Sequence, residues 1–229
     1  MSRKTIVMSL GGSLIIPNEI DISFLEKFVK IIKKHKKEYK FVIVTGGGKI
    51  AREYIKALKK TGKSEYFQSL IGISITKLNA LLLTYLFDKD ANSSIPHNMK
   101  QVANLLRKNN PVICGALRYS KHETSDSTSA KLARFFSCEF VNLTSVSGLY
   151  TKDPIKYKDA KFIPQISWGN FYKKACKIKF KPGQHFVLDQ KAAEIIKKYE
   201  IKTYILGKNL KNLDSFLSRK KFKGTVIEG

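Results

Sequence analysis

Short, uninterrupted apolar runs alternate along the chain with segments in which apolar residues return every three or four positions. Thr5 to Leu10 and Phe41 to Thr45 are runs of the first kind, the mark of strands buried on both faces. Between them Ile22, Leu25, Phe28, Val29 and Ile32 recur at helical spacing, with Asp21 or Ser23 available as N-cap. This is a βαβ unit. The pattern predicts further helices over about 47–62, ending at Gly62, over 67–87, and over about 126–136. Strands are expected at Val112 to Cys114, Phe140 to Thr144, Thr203 to Leu206 and Thr225 to Ile227, with a helix opened by Asp189 and marked by Ala192, Ala193, Ile196 and Tyr199. Residues 145–164, rich in Gly, Pro, Asp and Lys, predict an extended hairpin. Alternation of this kind implies a three-layer α/β sandwich with a mainly parallel central sheet. With neither repeat nor linker in sight, the expectation is one domain over 1–229, its two lobes joined near residue 140.

Two strand ends are broken by glycine, at Leu10-Gly11-Gly12-Ser13 and at Thr45-Gly46-Gly47-Gly48-Lys49, and each leads into a helix. Glycines let a backbone approach a phosphate closely, and the helix that follows offers unpaired N–H groups and a positive dipole end. Turns that use glycine for its positive φ give the same pattern. Neither a Walker A sequence nor G-x-G-x-x-G occurs, so the two commonest nucleotide folds are not supported.

Lys and Arg total 43 against 18 acidic residues, a formal charge of +25, which suits phosphorylated small molecules or polyanions. No nucleic-acid motif and no basic stretch interleaved with aromatics accompanies it, so no dedicated nucleic-acid partner is expected. Three widely separated cysteines, Cys114, Cys138 and Cys176, point to a reducing compartment, hence the cytoplasm. The apolar run after Arg3 and Lys4 is interrupted by Gly11-Gly12, unlike a secretory signal. Leu78 to Phe87, the most apolar stretch, is about half the length needed to cross a bilayer, so no membrane role is expected.

Arg52 lies about one turn into the helix after the second glycine cluster, where its fork reaches back toward a bound anion. Thr124-Ser125-Asp126 can cap the helix that follows, and Asp126 gains roughly 0.3–1 kcal/mol from its dipole. The preceding loop brings Arg118, Lys121 and His122 to the mouth of the sheet, where open α/β sheets take ligands.

The ordered set Leu10-Gly11-Gly12-Ser13, Gly46 to Arg52, Ile71-Gly72-Ile73, Thr124-Ser125-Asp126 and Ser147 to Pro154 resembles the amino acid kinase superfamily, and within it the archaeal type of UMP kinase. The likeness runs from about residue 5 to residue 227, through Asp189 to Ala193 and Gly224 to Ile227. It implies the amino acid kinase fold, with an acceptor lobe over about 1–139 and an ATP lobe over about 140–229. The implied reaction is ATP plus UMP giving ADP plus UDP, with Mg²⁺ accompanying ATP, in a ring-like homohexamer packed through the helix around Ile71 to Leu83. By resemblance, Gly12, Ser13, Gly48 and Arg52 cradle the phosphates, and Asp126 organises the phosphate-binding groups, so Arg52 and Asp126 are the implied catalytic pair. Thr144, Ser145, Tyr150 and Asp153 match the ATP lobe, with Tyr150 against adenine and Asp153 at the ribose or base edge. Gly47, Arg118, Lys121, His122 and Thr124 match the UMP side. No residue is assigned as a protein metal ligand.

The chain also departs from that pattern. Ser9 stands where many superfamily members carry a lysine, leaving Lys49, Lys181 and Lys191 as candidate replacements. Ser147 replaces the usual Asp of the adenine hairpin. Ser69, also on the UMP side, replaces an Asp that often meets the uridine ribose. Two other readings therefore stay open: a kinase of the same fold acting on a carboxylate, a carbamate or isopentenyl phosphate, and a non-catalytic nucleotide or oxyanion binder.

Overall fold

A computed structural model describes residues 3–121, 123–177 and 187–229. The chain opens with β1 (Lys4–Leu10), α1 (Gly12–Ile15), α2 (Ile22–His35), β2 (Tyr39–Thr45), α3 (Gly48–Lys60) and α4 (Glu65–Phe87). A 3-10 turn at Asp88–Asp90 leads to α5 (Met99–Leu106), β3 (Val112–Cys114), α6 (Ser125–Phe135) and β4 (Glu139–Leu143). Then follow β5 (Leu149–Tyr150), β6 (Phe162–Ile163), β7 (Gln165–Ile166), α7 (Trp168–Cys176), α8 (Gln190–Lys198), β8 (Thr203–Leu206), α9 (Leu210–Leu217) and β9 (Gly224–Ile227).

Seven strands form one sheet in the order β3-β2-β1-β4-β8-β9-β7, parallel except for the antiparallel β8–β9 pair. The expected hairpin is present as the antiparallel pair β5–β6. Alternating residues feed two cores. Ile6, Met8, Leu10, Phe41 and Ile43 face one layer with Phe28, Leu83 and Phe87, while Val7, Val42, Val44 and Phe140 face the other with Leu132, Phe171 and Ile196. Burial on both faces is what the unbroken apolar runs encode.

Asp21, rather than Ser23, caps α2 by accepting from the Phe24 N–H at 2.9 Å. Leu78 to Phe87 is the last part of the longer helix α4. That helix spans 23 residues and is long and apolar enough to cross a bilayer on those grounds alone. Gln68, Thr76, Asn79 and Thr84 are nevertheless buried along it, and two of them hold the sheet by hydrogen bonds, the arrangement of a core helix. Helices α5, α7 and α9 extend the predicted set. Each is capped by a side chain, from Asn98, Ser167 and Asn209 respectively.

The register positions the site. Leu10 pairs with Thr45 on one side and with Leu143 on the other, so β1, β2 and β4 end level and their following residues emerge together. The chain moves outward from β1 to β3 and then returns to β1's other edge as β4, which places the crevice at a point where strand order reverses.

Candidate active site

Gly11 donates its N–H to Leu143 O and Gly46 donates to Leu10 O, each at 2.9 Å, so both glycine turns are continuations of the sheet. They then touch. A Cβ on Gly12 would stand 2.0 Å from Gly48 N, and a Cβ on Gly48 would stand 2.5 Å from Gly12 O. Gly48 also has φ +67°, a left-handed conformation that favours glycine. Two bare backbones packed this closely form the floor of one pocket.

Around that floor stand Ala51, Arg52 and Ile55 from α3, Ser69, Gly72, Ile73 and Thr76 from α4, and Thr124, Ser125 and Asp126 at the start of α6. Asn142, Leu143 and Thr144 close it from β4, with Val187 and Asp189 at the approach to α8. Polar side chains of α4 fix the geometry. Asn79 donates to Gly46 O at 2.8 Å, Thr45 Oγ1 donates to Thr76 O at 2.8 Å, and Thr76 Oγ1 accepts from Ala116 N at 2.9 Å.

Two carboxylates lie at the base. Asp126 accepts from Ser9 Oγ at 2.9 Å. Burial and the neighbouring Asp189 push its carboxyl up to about 7, against a smaller downward pull from Ser9. Asp189 is itself raised by burial and is held by Thr124 Oγ1, by Ser127 Oγ at 2.9 Å, and by the Ala192 N–H at 2.7 Å. One buried carboxylate therefore caps α8 and anchors the first turn of α6. The Thr124 cap predicted from sequence is present: its Oγ1 accepts from the Asp126 N–H at 3.1 Å.

Arg52 is the one cation lining the pocket among the described residues, and burial lowers its pKa from the usual guanidinium value. Glu123 also lines the pocket and is paired with Lys131 at 2.5 Å. Of the candidate lysines, Lys49 and Lys191 are outside the lining, Lys191 pairing with Glu194 at 2.9 Å, and Lys181 lies outside the described residues.

Of the residues expected at the site, the structure gathers Gly12, Ser13, Gly47, Gly48, Arg52, Ser69, Thr124, Asp126 and Thr144 around the pocket. Ser145, Tyr150, Asp153, Arg118 and Lys121 are not in its lining. Tyr150 packs edge-on against Phe162, ring centroids 5.4 Å apart, and exposed Asp153 accepts from the Ile155 N–H at 2.9 Å. Arg118 and Lys121 point into solvent, and His122 lies outside the described residues. Glu123, Asn142 and the site role of Asp189 were not anticipated. Asn142, buried within an apolar strand and donating to Val187 O at 2.5 Å, carried the clearest signal, a polar residue where Val or Ile is the rule.

The amino acid kinase family model matches residues 4–207. The chain belongs to the amino acid kinase family. This amino acid kinase is 36% identical over 227 residues to the uridylate kinase of Pyrococcus abyssi (strain GE5 / Orsay), covering 97% of this chain and 99% of that protein. It is 35% identical over 227 residues to the uridylate kinase of Thermoplasma volcanium, covering 99% and 98%. The crystal structure of uridylate kinase from Archaeoglobus fulgidus superposes with a TM-score of 0.84 at 33% identity, over 97% of this kinase and 99% of that chain.

Proposed function

We propose that this kinase transfers the terminal phosphoryl group of ATP to UMP, giving ADP and UDP. The observation that carries the reading is the backbone contact of Gly12 with Gly48, which joins two anion cradles into one pocket. Relatives named uridylate kinase along nearly the full chain supply the acceptor. Phosphoryl transfer asks a protein chiefly for positioning and for neutralisation of charge on the phosphate oxygens.

In this reading the N–H groups of Gly12, Ser13 and Gly48 and the guanidinium of Arg52 hold the phosphates in transfer. Gly47, Ser69 and Thr124 face UMP, with Arg118 and Lys121 on the loop beside it, and His122 is assigned to the same substrate. Thr144 and Ser145 lead toward ATP, and Tyr150 and Asp153 of the hairpin segment meet its nucleoside. The division into an acceptor part over about 1–139 and an ATP part over about 140–229 follows from the same assignment. Mg²⁺ bound to ATP neutralises phosphate charge. Asp126 fits that ion, because its oxygen is a hard donor and a cation beside it relieves the repulsion from Asp189. The kinase works in the cytoplasm as a homohexamer packed through α4, whose Tyr66, Phe67, Leu78 and Tyr85 stand exposed.

The test is ADP release with a panel of nucleoside monophosphates, carboxylates and a carbamate at saturating ATP and Mg²⁺. UMP is expected to be turned over fastest. Absence of UMP turnover rejects the assignment, and preference for a carboxylate moves it to another kinase of this fold. Light scattering at micromolar concentration should give the mass of six chains; a monomer mass removes the hexamer.

A further inference from the structure

A second cavity, of about 540 Å³, opens at the end of the strands opposite the glycine turns. Arg3 precedes β1, Lys36 and Lys37 precede β2, and Lys108 and Asn110 precede β3, while Lys89 and Asp90 come from the turn that ends α4. Strands β1 and β2 are parallel and 7 residues long, so about 20 Å separates this cavity from the pocket at their C-terminal ends. Its volume is in the range of small-molecule sites.

Five cations here face a single carboxylate. Asp90 is already paired, with Lys36 at 2.7 Å and Lys33 at 3.3 Å, and these partners hold its pKa below the usual carboxylate value. Lys37, Lys89 and Lys108 are exposed, and their ammonium groups make no hydrogen bond or ion pair among the described residues. The backbone beneath them is fixed. Asn110 Nδ2 donates to Lys36 O at 3.0 Å and Tyr39 O at 2.8 Å, its Oδ1 accepts from the Phe41 N–H at 2.9 Å, and Arg3 donates to Lys36 O at 3.3 Å. Three exposed ammonium groups lining one cavity above this fixed backbone repel one another and have no counter-charge of their own there. An extended anion reverses that sign, because one ligand meets all three.

We infer that this cavity binds a chain of phosphates, such as inorganic triphosphate or the triphosphate of a nucleotide, independently of the catalytic pocket. A lone phosphate would meet one or two of the cations. A linear chain spans those approaching from β2, β3 and the end of α4.

The experiment compares three proteins by equilibrium dialysis against inorganic triphosphate at about 0.15 M salt, where charges beyond about 8 Å are screened. They are the wild type, the cavity variant Lys37→Glu/Lys89→Glu/Lys108→Glu, and a control with the same charge change, Lys173→Glu/Lys198→Glu/Lys211→Glu, on exposed positions elsewhere. Wild type and control should bind one more equivalent per chain than the cavity variant, whose affinity for that equivalent falls at least about tenfold. The catalytic pocket is unaltered in all three, so the comparison holds whatever its substrate. Equal losses in both variants overturn the proposal, because diffuse positive charge then accounts for binding. A parallel series with UTP identifies the source: equal affinity assigns the inorganic chain, tighter binding assigns a nucleotide. Circular dichroism checks folding, and the milder Lys37→Gln/Lys89→Gln/Lys108→Gln replaces the cavity variant should it fail to fold.

Discussion

Ser9 Oγ donates to Asp126 Oδ1 across 2.9 Å, tying the end of β1 to the first turn of α6. Ser9 is 1% exposed, while its partner Asp126 is half-buried and lines the pocket. The bond favours the charged carboxylate against burial and Asp189, which raise the pKa to about 7. Ser9→Ala should therefore move the rising limb of the kcat/KM profile to higher pH, while Ser9→Thr keeps the hydroxyl and restores it. An unmoved limb in Ser9→Ala separates this bond from the chemistry.

Asp126 also links pH to stability. Its carboxyl titrates at 3.8 in the reference state and at about 7 in the fold, so between those values the folded protein keeps a proton that the unfolded chain releases. Stability from this group is full below about pH 4 and is lost as pH rises through about 7, a change on the order of a few kcal/mol. Asp126→Asn should flatten that fall, with Asp189, raised in the same direction, supplying what remains. Urea midpoints at pH 5 and pH 8 measure it. A wild-type drop no larger than the variant's contradicts the shift.

Asp189 holds Thr124, Ser127 and the Ala192 N–H from one buried position. Asp189→Ala leaves three polar groups without that acceptor, each costing about 1–3 kcal/mol. We expect a large drop in melting temperature, together with a loss of activity because the α6 turn carrying Asp126 loses its anchor. Asp189→Asn keeps an acceptor oxygen and should recover part of the stability. Equal melting temperatures for wild type and Asp189→Ala would show that α6 holds its place without it.

Much of this was legible in the chain, for physical reasons. Apolar runs at β1 and β2 and the 3-4 spacing of α2 are local signals that tertiary packing reinforces, and glycines at 11, 12 and 46–48 mark a close approach that no other residue fits. The contact between Gly12 and Gly48 was not legible, because it depends on the register that brings Leu10 opposite Thr45. Tyr150 and Asp153 were placed by resemblance, and in the fold the ring of Tyr150 rests on Phe162 outside the pocket lining. Helices α5, α7 and α9 are only 8 or 9 residues long, too short for periodicity to speak alone. The run through α4 hid Thr76 and Asn79 among apolar neighbours, although a buried polar residue in such a run is itself a signal of a partner.

The glycine contact predicts a substitution that cannot be absorbed quietly. Gly48→Ala needs φ +67° from an L-residue and puts a methyl 2.5 Å from Gly12 O, so the two turns must separate. Loss of nucleotide binding by at least about tenfold is expected, with destabilisation on the order of 1–3 kcal/mol. Gly62, with nothing within 4 Å of its virtual Cβ and φ +70°, is the control for backbone strain alone. If Gly62→Ala and Gly48→Ala weaken binding equally, the contact between the turns is not what shapes the pocket.

Arg52 gives the sharpest separation between charge and shape. It is the one cation lining the pocket among the described residues, which Glu123, Asp126 and Asp189 also line, and it is held one turn into α3. A planar fork meets two phosphate oxygens at once, whereas an ammonium meets them as a point charge on a shorter, looser arm. Arg52→Lys therefore keeps the charge and loses the geometry. If Arg52 acts by orienting the group in transfer, kcat should fall about 10²–10³-fold in Arg52→Lys, with the KM for ATP changing far less. Arg52→Ala should then fall little further, because most of the effect was already spent when the fork was lost. A nearly active Arg52→Lys with a dead Arg52→Ala would instead assign the residue to bulk neutralisation.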